Sequence, residues 1–197
     1  MVEVAIDMPA PDDLTPVLGR SFHVHGSRIS GTNDEADGQW QHWQRRLSPS
    51  HYRLYHKSEN SQAFVRFEAV AQRPWLVTRD VLRPEGLEVF RALPLFEKLD
   101  IFDLPPYPEV SSLPDGWRSM MPHHADLGRL RGDLLEGSLR DRRLRLDQAL
   151  SFLGASTVLQ ALGWRRKATA MRRLRRSPLH GRIISLVQGF DATVNSS

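Results

Sequence analysis

Between Gly163 and Arg182 the chain reads GWRRKATAMRRLRRSPLHGR, with seven arginines, one lysine and no acid. A guanidinium is flat, permanently charged and able to grip a phosphate through two parallel N–H donors, so a run of them suits a polyanion. On a helix turning about 100° per residue, Trp164, Ala168, Met171 and Leu174 form an apolar stripe. Arg165, Arg166, Arg172, Arg173 and Arg176 then gather in one sector of roughly 120° on the far side, and no acid stands at i+3 or i+4 to neutralise them. Lys167 and Arg175 sit at the edges of the stripe. The chemistry expected is phosphate contact, which positions a nucleic acid, DNA or RNA, without reading its sequence. If all five arginines engage duplex DNA, the log–log salt slope is about −4 to −5.

Two other partners could supply the negative charge. An acidic protein surface is one, including the acidic half of a second copy in a homo-oligomer; the chain would then be a non-catalytic assembly or adaptor subunit. An anionic membrane surface is the other, and it ranks lower because the apolar face is short and carries one aromatic.

Two histidine groups invite an enzymatic reading. In FHVHG, His23 and His25 stand two apart, which on a strand places both imidazoles on one side. They are the weak catalytic candidates, and as a metal pair they lack further ligands at a suitable spacing, so no metal or cofactor is expected. The plainer expectation for them is the polar, outward face of a half-buried strand. His123 and His124, in MPHHADL, precede a helix that Asp126 would cap. Asp7, Asp100 and Asp103 are acids beside apolar residues, without the second cluster that a two-metal site needs. No GxxxxGK[ST], GxGxxG or GxSxG motif occurs, so phosphate-cradling loops and a serine nucleophile elbow are absent. An enzyme is therefore less expected than a binding protein.

The elements that must position these residues can be read from periodicity. VEVAIDM alternates, with Val2, Val4, Ile6 and Met8 on one face; SFHVHGSRI places Phe22 and Val24 together, and AFVRFEAVA does so for Ala63, Val65, Phe67 and Ala69. HYRLYHK and AFVRFEAVA are joined by SENSQ as a hairpin. PWLVTRDVL reads as a further strand, PEGLEVFRAL as a helix opened by proline, and Gln39 to Leu47 as a short helix with Trp40, Trp43 and Leu47 at helical spacing. Later, Leu135, Leu139, Leu146, Leu150 and Leu153 form one helical stripe. Gly154 is a stop, and Ser156 and Thr157 offer a new N-cap. STVLQALG is a helix ending at Gly163, the basic helix runs on to Pro178, and IISLV fits either a strand or more helix. Fold class is thus α+β, an N-terminal antiparallel sheet followed by a C-terminal helical layer.

Two resemblances follow from these elements. STVLQALG, the turn at Gly163 and KATAMRRLRR resemble a helix-turn-helix, with Val158, Leu162 and Trp164 at its buried places, although Thr169 and Arg172 fall where its second helix buries side chains. An opening of strand, short helix and strand, a histidine near the second strand and a later arginine-rich helix resemble small CRISPR RNA-processing endonucleases. That resemblance implies a histidine acting as general base toward a 2′-hydroxyl. The long helical second half departs from that family.

Charge divides the chain. Up to residue 117 there are 12 basic and 17 acidic side chains, and from Arg118 onward 15 basic and 6 acidic. An interaction face is thus expected in the second half. Residues 1–104 read as an acidic sheet domain, 105–122 as a proline-rich connection at the surface, and 123–197 as a basic helical region. At 197 residues a packed core needs no staples. The absence of cysteine excludes disulfides and thiolate chemistry, and the acidic N-terminus lacks a secretion signal, so a cytoplasmic protein is expected. The uncharged run from Gln148 to Trp164 is too short and too polar for a bilayer span and reads as a buried helical hairpin.

Overall fold

The computed structural model describes residues 1–9, 20–25, 28–35, 38–44, 50–59, 62–79, 90–120 and 125–194, without the side chains of 9, 28–35, 38–44, 55–59, 62, 63, 164, 165 and 194. The first half is an antiparallel sheet. Strands β1 (Val2–Pro9), β3 (Arg28–Glu35), β4 (Gly38–Gln44), β5 (Ser50–Glu59) and β6 (Gln62–Ala71) lie in the order β1-β6-β5-β4-β3. Directly opposed residues share a face, so the register sets Ile6, Phe67 and Leu54 abreast, with Val4, Ala69 and Tyr52 one step along. This is the core face expected from the alternation. On the reverse face Arg66 grips the Asp7 carboxylate through two N–H donors at 2.6 and 2.5 Å.

Two short helices and one short ladder cover the core face. Helix α1 (Arg73–Val77) buries Trp75 and Leu76, and α2 (Leu93–Phe96) buries Leu95 and Phe96. Strand β2 (Phe22–Val24) pairs with β7 (Leu99–Ile101), whose residues Phe22, Val24, Leu99 and Ile101 all join the sheet's apolar cluster.

Four helices, α3 (Leu127–Leu135), α4 (Leu139–Leu153), α5 (Ala155–Ala161) and α6 (Trp164–Arg173), build a second apolar cluster. Asp126 caps α3 as expected, accepting from the amides of Gly128 and Arg129. Ser138 and Asp141 cap α4 reciprocally in a capping box. The last helix, α7 (Pro178–Val194), returns to the sheet, where Ile183 and Val187 enter its core. Asp191 on α7 accepts from the amides of Ala92 at 2.7 Å and Leu93 at 2.9 Å, tying it to the start of α2.

Several local expectations are corrected. Gln39 to Leu47 holds a strand over Gly38–Gln44 instead of a helix, with Trp40 opposite Tyr55 and Trp43 opposite Tyr52. Aromatic residues favour a pleated surface, and pairing on both sides overrides the three-residue spacing. The first part of PWLVTRDVL is helix, because Pro74 sits in a first turn that has no amide to lose. Of PEGLEVFRAL, 84–89 lie outside the described residues, and 90–92 are not helical. The leucine stripe is broken at Gly137, whose φ of 83° turns the chain between α3 and α4 and leaves Leu139 82% exposed. Gly154 is itself the N-cap of α5, which leaves Ser156 and Thr157 buried inside the helix. The basic helix ends at Arg173, so Pro178 opens the next helix and does not halt this one. IISLV lies within that next helix. In the proline-rich segment Leu113, Trp117 and Met120 are buried against the helices, with Trp117 Nε1 donating to Asp133 at 2.7 Å. It is therefore more than a surface connection.

Candidate functional site

The β2–β7 ladder has an apolar face and a polar one. His23 lies opposite Asp100, and His25 lies two residues on from His23, so all three side chains share the face turned away from Phe22, Val24, Leu99 and Ile101. Against it comes the chain between α6 and α7. Phe102 pairs with Arg176, the Asp103 amide donates to the Arg175 carbonyl at 2.9 Å, and the Ser177 amide to that of Ile101 at 2.8 Å. This lays Arg176 over the ladder and brings the first turn of α7, with His180, beside it.

Asp100 is the centre of the cluster. His25 Nε2 donates to its Oδ2, and Arg176 Nε donates to Oδ1 at 2.9 Å. Burial alone would raise the Asp100 carboxyl; the His25 hydrogen bond, with the charges of His25, Arg176 and His180, reverses this and holds it below its usual value. With Nε2 committed to Asp100, Nδ1 is the other ring nitrogen of His25. Its side chain is partly exposed.

Three further groups face the pair. His23 is 0% exposed, neither of its ring nitrogens has a hydrogen-bond partner among the described residues, and its ring meets that of His25 edge-on with centroids 5.1 Å apart. Burial, aided by the charges of Lys167 and His25, pushes it down to about 3, so it is neutral at pH 7. It is thus neither an outward-facing strand residue nor a group open to a substrate. Lys167, on α6, is lowered by burial against the attraction of Asp100, and His180 is lowered by burial and by Arg176. Both oxygens of the Asp100 carboxylate are thus occupied, one by His25 and one by Arg176.

The predicted arginines are divided. Arg166 and Arg173, one face of α6, line a groove of about 370 Å³ together with Arg142 and Arg143 of α4. Leu134, Leu135, Leu139, Leu146, Leu162 and Ala170 contribute the apolar part, and among the described residues no lining side chain is acidic. Arg142 Nε donates to the Gly137 carbonyl at 2.9 Å, whereas Arg143, Arg166 and Arg173 have no acidic partner among the described residues. Arg172 is exposed about 100° round the helix from Arg173. Arg176 is off the helix on Asp100, and the side chains of Arg165 and Trp164 lie outside those described. Among the described side chains of α6 the buried one is Ala170, with Ala168, Met171 and Leu174 half-buried around it. Thr169 and Arg172 are exposed, which is not how a helix-turn-helix packs its second helix. His123 and His124 are outside the described residues.

Asp7 and Asp103 join neither site, being on Arg66 and near Arg175. Arg142 and Arg143 carried no sequence signal, since RDRRLRL reads as an ordinary solvated helix face. Among the described residues no group of three potential ligands could hold a metal ion, and no helix is long and apolar enough to cross a membrane. No protein-family model, no curated protein and no solved structure matches this chain.

Proposed function

We propose that this chain is a cytoplasmic nucleic-acid-binding protein whose phosphate-gripping surface is the groove between α4 and α6. The observation that carries the reading is the convergence of Arg142, Arg143, Arg166 and Arg173 on one groove with no acid among its described lining residues. Four like charges drawn together repel one another, and a bound row of phosphates removes that cost while releasing condensed counterions. Fluorescence anisotropy with a labelled single-stranded RNA and a duplex DNA tests it. Reversing Arg166 and Arg173 to glutamate weakens binding by at least about tenfold at moderate salt, while reversing Arg172, which lies outside the groove, has a much smaller effect. Equal effects of the two changes would point to general charge and against the groove.

The leucine-lined floor favours a second reading, an acidic amphipathic helix of a protein partner laid in the groove. Leu139, 82% exposed at its edge, separates the two. Leu139→Ser weakens capture of an acidic helix but leaves phosphate binding largely unchanged.

A further inference from the structure

We propose that the groove between β1 and α7 binds an extended segment of a partner protein, which adds to the sheet as a further strand. The segment carries a basic side chain opposite Glu3 and apolar side chains over Leu186 and Phe190. This surface shares no residue with the arginine groove and goes beyond the nucleic-acid reading. In the sheet order β1-β6-β5-β4-β3, β1 is an outer strand, and among the described residues β6 alone pairs with it, in eight consecutive pairs. A groove of about 390 Å³ runs along its other side, lined by residues 3–7 of the strand, by Ala92, and by Leu186, Val187 and Phe190 of α7. Successive side chains of a strand alternate between its faces, so residues in an unbroken row share one groove through their backbone edge. On that edge every second residue turns its N–H and C=O away from β6. Between Val2 and Met8 the strand has no proline, lysine or bulge, the usual devices that blunt an exposed edge.

The two sides of this edge differ, and the difference sets the partner's chemistry. On the core side Ile183 and Val187 of α7 are buried against the sheet, whereas Leu186 and Phe190, four apart on the neighbouring stripe, stay 59% and 47% exposed at the groove. A strand laid along β1 turns alternate side chains toward them, and apolar ones remove that surface from water. On the reverse side Glu3, Ala5 and Asp7 are all exposed. Arg66 already grips Asp7, while Glu3 has no ion-pair partner among the described residues, and no basic side chain among them lines the groove. A lysine or arginine opposite Glu3 supplies the missing charge, since directly opposed unlike charges attract and like charges repel. The same rule disfavours a second copy of this chain as the occupant. Of the antiparallel registers that match the faces of two β1 strands, the one that pairs most of their length sets Ala5 opposite Ala5, and it places Glu3 of each copy against Asp7 of the other.

The test uses the full chain and two fluorescent peptides as long as β1, one alternating valine and lysine and the other valine and glutamate. The wild type binds the valine–lysine peptide more tightly. Glu3→Lys inverts that preference, changing the ratio of the two affinities by about fivefold or more. Leu186→Ser combined with Phe190→Ser weakens the valine–lysine peptide by at least about tenfold, and circular dichroism shows both variants folded. A further arm needs only the wild type. Methylating the amide nitrogens of the valines, or those of the lysines, blocks one edge of the peptide and leaves the other open, and only one edge faces β1 when the apolar side chains face α7. One methylated peptide therefore loses binding and the other keeps it. No binding of the valine–lysine peptide, a preference that Glu3→Lys leaves as it was, or equal effects of the two methylation patterns overturns the inference. So does a dimer in sedimentation velocity that the Leu186 and Phe190 changes dissolve, which would assign the groove to a second copy.

Discussion

His23 is a fully buried imidazole whose ring nitrogens have no hydrogen-bond partner among the described residues, and its neutrality has a thermodynamic signature. Its folded-state value is about 3 against 6.5 for the free side chain. Between these limits the unfolded chain takes up a proton that the native state refuses, so stability falls as pH is lowered, by about 1.4 kcal/mol per pH unit. His180 and His51 are lowered as well and act with the same sign, while Asp100, also lowered, adds its loss at more acid pH. Urea unfolding between pH 7 and pH 4 checks this: the free energy of the wild type falls steeply, and His23→Leu flattens the slope by close to one proton. Parallel curves would contradict the account. The common face of His23 and His25 was legible in the two-residue spacing. Their meeting with Asp100 was not, since it depends on pairing strands separated by 75 positions, for which periodicity carries no signal.

Among the elements, α5 shows how one position can fix the geometry of both sites. Gly154 ends α4 and opens α5 with φ of 86°, and a Cβ there would lie 2.8 Å from the Cα of Arg20, at the entry to β2. Gly154→Ala combines backbone strain with a backbone clash. It should cost about 1–3 kcal/mol or more and lower the melting temperature by roughly 2–4 °C per kcal/mol, as calorimetry would show. An unchanged melting temperature would mean that helix and strand do not meet so closely. The stop at Gly154 was readable from sequence, whereas its contact with Arg20 was not. The basic helix was likewise read correctly as amphipathic, but its five arginines do not share one fate. Arg176 leaves the helix because Leu174 ends it in an extended conformation and the chain then pairs with Phe102. The partners that Arg166 and Arg173 gain in the groove come from α4, whose arginines are spaced like any solvated face.

For the whole molecule, the α+β class and the order of sheet before helices followed from the change of period along the chain, from two to about 3.6. The fate of the last segment did not, because IISLV fits either period when read alone. It is helix because Ile183 and Val187 complete the sheet's core while Asp191 holds the start of α2. That return also delivers His180 and Arg176 to Asp100, so the candidate chemical site depends on both halves of the chain. The excess of basic side chains after residue 117 becomes, in three dimensions, a groove with four arginines. Four contacts, fewer than the five in one helical sector, set the electrostatic expectation. Measuring affinity for nucleic acid over a range of salt concentrations tests this most directly. A log–log slope of about −3 is expected with single-stranded RNA and about −3.6 with duplex DNA. Replacing Arg142, Arg143, Arg166 and Arg173 with serine should bring it close to zero. A wild-type slope near zero, or a steep slope that survives the fourfold replacement, would contradict the groove as the site of binding.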